Sequence, residues 1–405
     1  MTKQHLAWLR QQGINKVPKI TFYFWIIKIL CTTVGETAAD FLNVNLNLGL
    51  TGTSIVTGTS LIVALIAQFK TKKYIPAVYW IAVMLISVFG TLVTDNLTDA
   101  MGIPLETSTI VFSILLGMTF LIWYLFEKTL SIHSIFTMQR ESFYWLAILF
   151  TFALGTAAGD LMAEGLGLGY AITGIIIAAL IAIFSALWRL GLNSILSFWL
   201  IYILTRPLGA SLGDYLSQSP AHGGLGLGAT ITSLVFFGGI LGIVTYLSIA
   251  KSDTVDESYQ ERKKEDAQKG GLWQTIVVLA ILFVIAGVGY YIRQSSLGNT
   301  EILQNETNTS SSGVATLGDL SIFRTITQNT LDLLDAGKQS EATKRVSDLE
   351  YEWDNAEARL KPINKAQWRE VDDKIDTVLR ELRALRPDAS TEKKALEDLL
   401  TVITS

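Results

Sequence analysis

The sequence predicts an all-α polytopic membrane protein: eight transmembrane helices from four parallel two-helix repeats, plus a ninth helix and a soluble helical bundle. Three observations predict this class. Apolar residues make up 50% of the 405-residue chain and charged residues only 17%, with a mean hydropathy of +0.40; soluble domains carry about 25% charged residues. The shortage of charge is concentrated in the first 250 positions. Within that stretch, one spacing of Trp, Gly and Asp recurs four times.

A membrane helix needs about 20 mostly apolar residues. Runs of that length fall near residues 20–42, 50–69, 77–98, 105–126, 142–163, 168–188, 194–216 and 227–250. They make 1–250 the transmembrane domain. Residues 251–271 form a charged loop, containing the run Glu261-Arg262-Lys263-Lys264-Glu265-Asp266. A ninth apolar run covers 272–292, and 293–317, rich in Ser, Thr, Asn and Gly, read as a flexible linker. Residues 318–405 hold 14 basic and 18 acidic side chains. Their apolar positions follow helical steps, as in Val346, Leu349, Trp353, Ala356 and Leu360, then Trp368, Val371 and Ile375. Three or four antiparallel helices in a small bundle are expected. Asp372, Asp373 and Asp376 lie close along one of them, with a solvated acidic face as the default reading.

Short loops rich in Lys and Arg stay cytoplasmic. With the N-terminus inside, the inner segments hold 15 Lys and Arg and the four outer loops hold none. This predicts a bacterial inner (cytoplasmic) membrane protein with a cytoplasmic N-terminus and, after nine spans, an extracytoplasmic bundle. The basic N-terminus leads into a full-length span without a small-residue cleavage motif, so no cleaved signal is expected.

Several function classes drop out. A net charge of −4 offers no basic surface for nucleic acid. One cysteine, Cys31, gives neither a disulfide framework nor a thiolate cluster, and there are three histidines. No nucleophile motif, P-loop or metal-ligand spacing is present. The expectation is a protein that is not an enzyme and needs no cofactor, with the lipid bilayer as its first partner.

The repeat reads W-x9-G-x4-D. Trp25, Trp80, Trp145 and Trp199 open the odd-numbered spans, Gly35, Gly90, Gly155 and Gly209 follow, and Asp40, Asp95, Asp160 and Asp214 end the motif. Fifteen residues at 1.5 Å rise separate each Trp from its Asp by about 22 Å. The Trp therefore lies near the inner interface and the Asp near the outer one. Because two spans return the chain to its starting side, the four copies are parallel repeats. Over residues 18–250 these features resemble a bacterial membrane-protein family of unknown function, built from four tandem repeats with two transmembrane segments and one characteristic Trp each. That resemblance implies the fold and no activity. Gly159-Asp160 and Gly213-Asp214 are also similar to part of the Glu-x-Gly-Asp motifs of divalent-cation/proton exchangers, although the accompanying Glu and Lys/Arg are absent.

Every Asp, Glu, Lys or Arg on the outer half is acidic: Glu36, Asp40, Asp95, Asp99, Glu106, Asp160, Glu164 and Asp214. Such a mouth concentrates cations. A carboxylate at a helix C-terminus opposes the macrodipole, so helix stability alone does not place an Asp there four times. Two readings stand for these Asp: capping of the next helix or its loop, or contact with an ion. Glu36 sits one turn deeper than Asp40 on the same face, and intramembrane acids mark functional sites by default. Lys28 and Arg206 are the deep bases, with Pro207 loosening the helix beside Arg206, and both are candidates for coupling. Lys28 has a second reading, snorkelling to the inner interface. The oxygen-only ligand set of Glu36, Asp40, Asp160 and Asp214 favours hard ions such as Mg²⁺, Mn²⁺ or Ca²⁺. The leading expectation is a transporter of a small, Mn²⁺-like cation, whose pathway is lined by Glu36, Asp40, Asp95, Asp160 and Asp214. The alternative is a membrane anchor or sensor presenting its C-terminal bundle to a protein partner.

Overall fold

The computed structural model describes residues 15–46, 48–101, 103–217, 225–253, 317–361, 363–384 and 387–404, with isolated positions at 278, 287 and 289–291. Eight long helices match the apolar runs to within about a turn: α1 (Phe22–Asp40), α2 (Gly49–Lys70), α3 (Pro76–Asp95), α4 (Leu105–Glu127), α5 (Met138–Asp160), α6 (Tyr170–Arg189), α7 (Ser194–Ser217) and α8 (Gly228–Ala250). Seven of them, α2 to α8, are long and apolar enough to cross a membrane. The exception, α1, carries Lys28, Glu36 and Asp40 along its length. The ninth apolar run lies outside the described residues except for a few positions. Among those, Val278 packs beside Phe184 and Leu200, and the Tyr290 hydroxyl donates to Glu106 at 3.3 Å.

The four odd helices form a closed ring in the order α1, α3, α5, α7 and back to α1. Each even helix lies outside that ring, against the odd helix of the following repeat: α2 on α3, α4 on α5, α6 on α7, and α8 on α1. More than half of α3, α5 and α7 is buried, against 17–22% of the even helices. Ile55, Ile62, Ile114, Ile175 and Leu234 point outward from the even helices. So much exposed apolar surface suits hydrocarbon and not water.

The repeat residues explain the ring. Each motif glycine lies at the crossing with the next odd helix. A Cβ on Gly35 would overlap Ser87, one on Gly90 would lie 2.8 Å from Phe152 Cβ, one on Gly155 would meet Arg206, and one on Gly209 would overlap Thr32. Missing side chains thus let the backbones approach closely, as in other membrane helix pairs.

Each motif Trp is preceded by an aromatic residue that touches the Trp of the next repeat. Phe24 meets Trp80 at 5.5 Å between ring centroids, Tyr79 meets Trp145 at 5.5 Å, Tyr144 meets Trp199 at 6.3 Å, and Phe198 closes the circle on Trp25 at 5.7 Å. Trp80, Trp145 and Trp199 are therefore buried in protein, whereas an interface anchor would face lipid. Inside this belt the Tyr79 and Tyr144 hydroxyls share a 2.5 Å hydrogen bond.

The connections at the same end close it further. Lys16 pairs with the fully buried Glu141 at 2.6 Å, Gln68 donates to Glu141 at 3.1 Å, and the Tyr74 hydroxyl donates to Asp253 at 2.5 Å. The Trp end of the ring is sealed.

At the opposite end, three of the odd helices pass at their Asp into a π-helical turn: Phe41–Asn45, Asn96–Ala100 and Leu161–Gly165. The widened bonds run from the Leu46, Met101 and Leu166 amides to the Phe41, Asn96 and Leu161 carbonyls at 3.0, 3.0 and 2.8 Å. Such turns are rare and cluster at functional sites. Gly49 and Gly167, with φ of 65° and 59°, then turn the chain into the next helix; a side chain there would be strained.

Four further helices, α9 (Ser321–Asp335), α10 (Gln339–Leu360), α11 (Lys365–Leu382) and α12 (Ala389–Thr404), enclose their own apolar core. Trp353 and Trp368 stack at its edge with centroids 3.8 Å apart. This bundle lies on the carboxylate end of the ring. Arg369 donates to the Met101 carbonyl at 2.8 Å, and α10 packs on the turn Leu161–Gly165.

Candidate functional site: a carboxylate chamber under a helical cover

Between the ring and the bundle lies a cavity of about 530 Å³. Glu36, Asp40, Asp95, Asp160, Glu164 and Asp214 line its membrane-domain side. The four repeated Asp, scattered over 175 positions from 40 to 214, thus face one space. The ring delivers them there because each ends the same face of an odd helix. Asp40 is open to the cavity and Asp160 and Asp214 partly so. Among the described residues, none of these three makes a side-chain hydrogen bond or ion pair. The capping reading therefore does not hold for them. The following helices begin at Leu48, Gly169 and Leu227 without a side-chain cap.

The bundle supplies the roof. Glu350, Asp372 and Asp376 add three carboxylates, and Lys361 and Arg383 are the cationic side chains lining the cavity. Arg383 is held by Glu350 at 2.5 and 3.0 Å and by the Ser347 hydroxyl at 3.0 Å. The Trp353 indole donates to Asp372 at 2.6 Å, which fixes that carboxylate toward the cavity. Asp376 is open to the cavity, and the desolvation it meets between bundle and ring, reinforced by the Asp372 carboxylate, pushes its carboxyl up to about 7. Asp372 and Asp376 thus face the cavity under the bundle, where the sequence suggested a solvated outer surface.

The floor is asymmetric. Arg206, fully buried, donates from Nη2 to Glu36 at 2.6 Å and to the Thr91 hydroxyl, and from Nη1 to the Thr32 carbonyl at 3.3 Å. Below it, the Lys28 ammonium lies over the Phe152 and Tyr202 rings, 3.5 and 4.2 Å from their centroids. Its side chain is buried, which disposes of the snorkelling reading. Two basic side chains therefore stand between the chamber and the aromatic belt.

Sequence reasoning selected Glu36, Asp40, Asp95, Asp160, Asp214, Lys28 and Arg206, and the structure gathers these at the chamber and its floor. It missed Thr91, Thr32 and the bundle's contribution. Thr91 carries one signal: it stands immediately after Gly90, where repeat one has Glu36 after Gly35. Among the described residues, no three His, Cys, Asp or Glu side chains are placed to hold one metal ion directly. The wall offers dispersed carboxylates.

A closed ring of four tandem helix pairs, with a repeated carboxylate at one end, defines a polytopic membrane protein of internal repeats. The chain belongs to the family described as a repeat of unknown function, DUF347, which matches four times, over residues 23–74, 78–129, 143–190 and 197–253. No curated protein and no solved structure is found to match it.

Proposed function

We propose that this protein carries a small cation across the bacterial inner membrane, with a hard divalent ion such as Mn²⁺ as its substrate. The N-terminus is cytoplasmic in this reading and the chamber faces outward. One observation carries it: the repeated Asp residues share one cavity of about 530 Å³, in which three of them make no side-chain hydrogen bond or ion pair among the described residues. Carboxylates that face one cavity repel one another even when spread around its wall, and a cation relieves that repulsion. Because the carboxylates are spread around the wall, the ion enters with part of its water shell, as Mg²⁺-like ions prefer. Protons serve as the coupling ion. The bundle acts as a cover, and this gives less support to a bundle presented to a protein partner, since its Trp353 and Asp376 side is turned into the chamber.

The test is accumulation of divalent metals in cells making the wild type, Asp40→Asn/Asp160→Asn, or a chain lacking 294–405. A change for one ion that disappears in the carboxylate variant, at equal membrane abundance, supports the reading, and its sign gives the direction. Identical metal contents in wild-type and variant cells across the panel would sink it. Loss of function on deletion alone would shift the assignment to the anchor or sensor.

A further inference from the structure

Four-fold repetition makes departures from it informative. Three residues before the motif glycines stand Thr32, Ser87, Phe152 and Arg206; one residue after them stand Glu36, Thr91, Thr156 and Ala210. Charge occurs once in each set, and the two exceptions are bonded to each other at 2.6 Å. The ring contact does not need a cation at this position, because a threonine, a serine and a phenylalanine fill it elsewhere. A buried ion pair is also a poor source of stability, since desolvation consumes most of the Coulombic gain.

The pair is moreover incompletely satisfied. Among the described residues the buried Arg206 Nε–H has no acceptor, and such groups in native structures call for an explanation. Glu36 is the half of the pair that lines the chamber, and its side chain is 15% exposed against 1% for Arg206. Two neutral acceptors, the Thr32 carbonyl and Thr91 hydroxyl, also hold the guanidinium. They keep it in place if the carboxylate turns away.

We propose that Arg206 is the chamber's built-in counter-cation: it neutralises Glu36 while the chamber is empty and surrenders that carboxylate to an arriving cation. This rests on the cation-carrying reading above. Substrate and arginine then compete for one carboxylate, so a loaded chamber leaves a buried guanidinium without its counter-charge. That state is unfavourable, and it lies beside Pro207, which cannot donate the helical bond to the Ile203 carbonyl. Loading is thereby coupled to a bend-prone point of α7.

The experiment is Mn²⁺ binding to the purified full chain in detergent, by titration calorimetry, for wild type, Arg206→Gln, Thr91→Val, Glu36→Gln and Arg206→Gln/Glu36→Gln. Competition predicts that Arg206→Gln tightens Mn²⁺ binding by about fivefold or more. Thr91→Val, which removes an acceptor that holds the guanidinium once Glu36 has left it, makes the surrender costlier and weakens binding by about twofold. In the Glu36→Gln background the arginine substitution brings no gain. A purely structural Arg206 would lower the melting temperature in both backgrounds and leave affinity unchanged. Should Arg206→Gln fail to stay monodisperse, the near-isosteric Thr91→Val decides. With a binding-competent wild type, a folded Arg206→Gln that binds Mn²⁺ no tighter, or a folded Thr91→Val that binds it no more weakly, overturns this inference alone. A wild type with no saturable Mn²⁺ binding overturns it together with the function proposed above.

Discussion

Gly209 of α7 crosses α1 at Thr32 so closely that one added methyl would overlap the threonine hydroxyl and come within 3.0 Å of the Thr33 amide. The neighbour in the way includes backbone, so it cannot rotate aside. Gly209→Ala is expected to destabilise the ring by about 1–3 kcal/mol or more, the range for overpacking a close contact. Gly117→Ala is the control: nothing lies within 4 Å of the added atom, and Gly117 sits on the outer helix α4. There the alanine gains roughly 0.5–1 kcal/mol from helix propensity. Thermal unfolding of both in detergent checks the contrast, and equal melting temperatures would show that the crossing is looser than its geometry.

Asp376 makes the bundle's stability depend on pH in an unusual direction. Desolvation in the gap between bundle and ring, then Asp372, Glu350 and Asp373, hold its carboxyl at about 7, with Arg380 opposing. An unfolded Asp titrates near about 3.9. Between these values the folded chain binds more protons than the unfolded one, so stability is fully present below the lower value and is lost as pH rises through the upper. Unfolding of the bundle should occur at lower temperature at about pH 8 than at about pH 5, and Asp376→Asn should flatten the difference. A wild-type profile as flat as that of the variant would remove Asp376 as the cause.

How much of this was legible in the sequence follows from what each signal encodes. Hydropathy fixes where helices lie, and the W-x9-G-x4-D spacing fixes which residues are equivalent and at which depth. Neither states that α7 returns to α1. Closure of the ring is a long-range contact, and it converts four separate Asp into one chamber. The Trp belt shows the same limit. Depth was readable, but the partners Phe24, Tyr79, Tyr144 and Phe198 matter only once neighbouring repeats touch. The roof was not readable because it joins the membrane domain to helices more than 100 positions away. Asp376 looks like any surface acid until that docking is known.

The stacked indoles anchor the roof. Trp353 is buried against Trp368 at 3.8 Å and meets Phe323 edge-on at 5.1 Å, while its Nε1–H holds Asp372. Trp353→Ala is expected to cost about 3–5 kcal/mol through the cavity it leaves. Trp353→Phe keeps part of the stack and loses the hydrogen bond, so it should cost less while still freeing Asp372. If denaturant unfolding finds the two variants equally stable, the stack contributes little beyond the hydrogen bond.

The seal at the Trp end turns on Glu141, which is fully buried between the Lys16 ammonium at 2.6 Å and the Gln68 amide at 3.1 Å. Lys16 also donates to the Phe69 carbonyl at 3.0 Å, so one ion pair joins the segment before α1, the end of α2 and the start of α5. Removing one partner strands the other charge in low dielectric, at a cost of about 3–5 kcal/mol. Glu141→Ala should therefore lower the melting temperature sharply. Replacing both charges by apolar side chains of similar length removes the desolvation penalty with the attraction. Lys16→Met/Glu141→Met should accordingly recover much of that loss, because the pair closes the ring's end through its geometry more than through its net energy. A double variant as unstable as Glu141→Ala would mean that Glu141 acts chiefly through Gln68, and the seal would then rest on the α2–α5 contact alone.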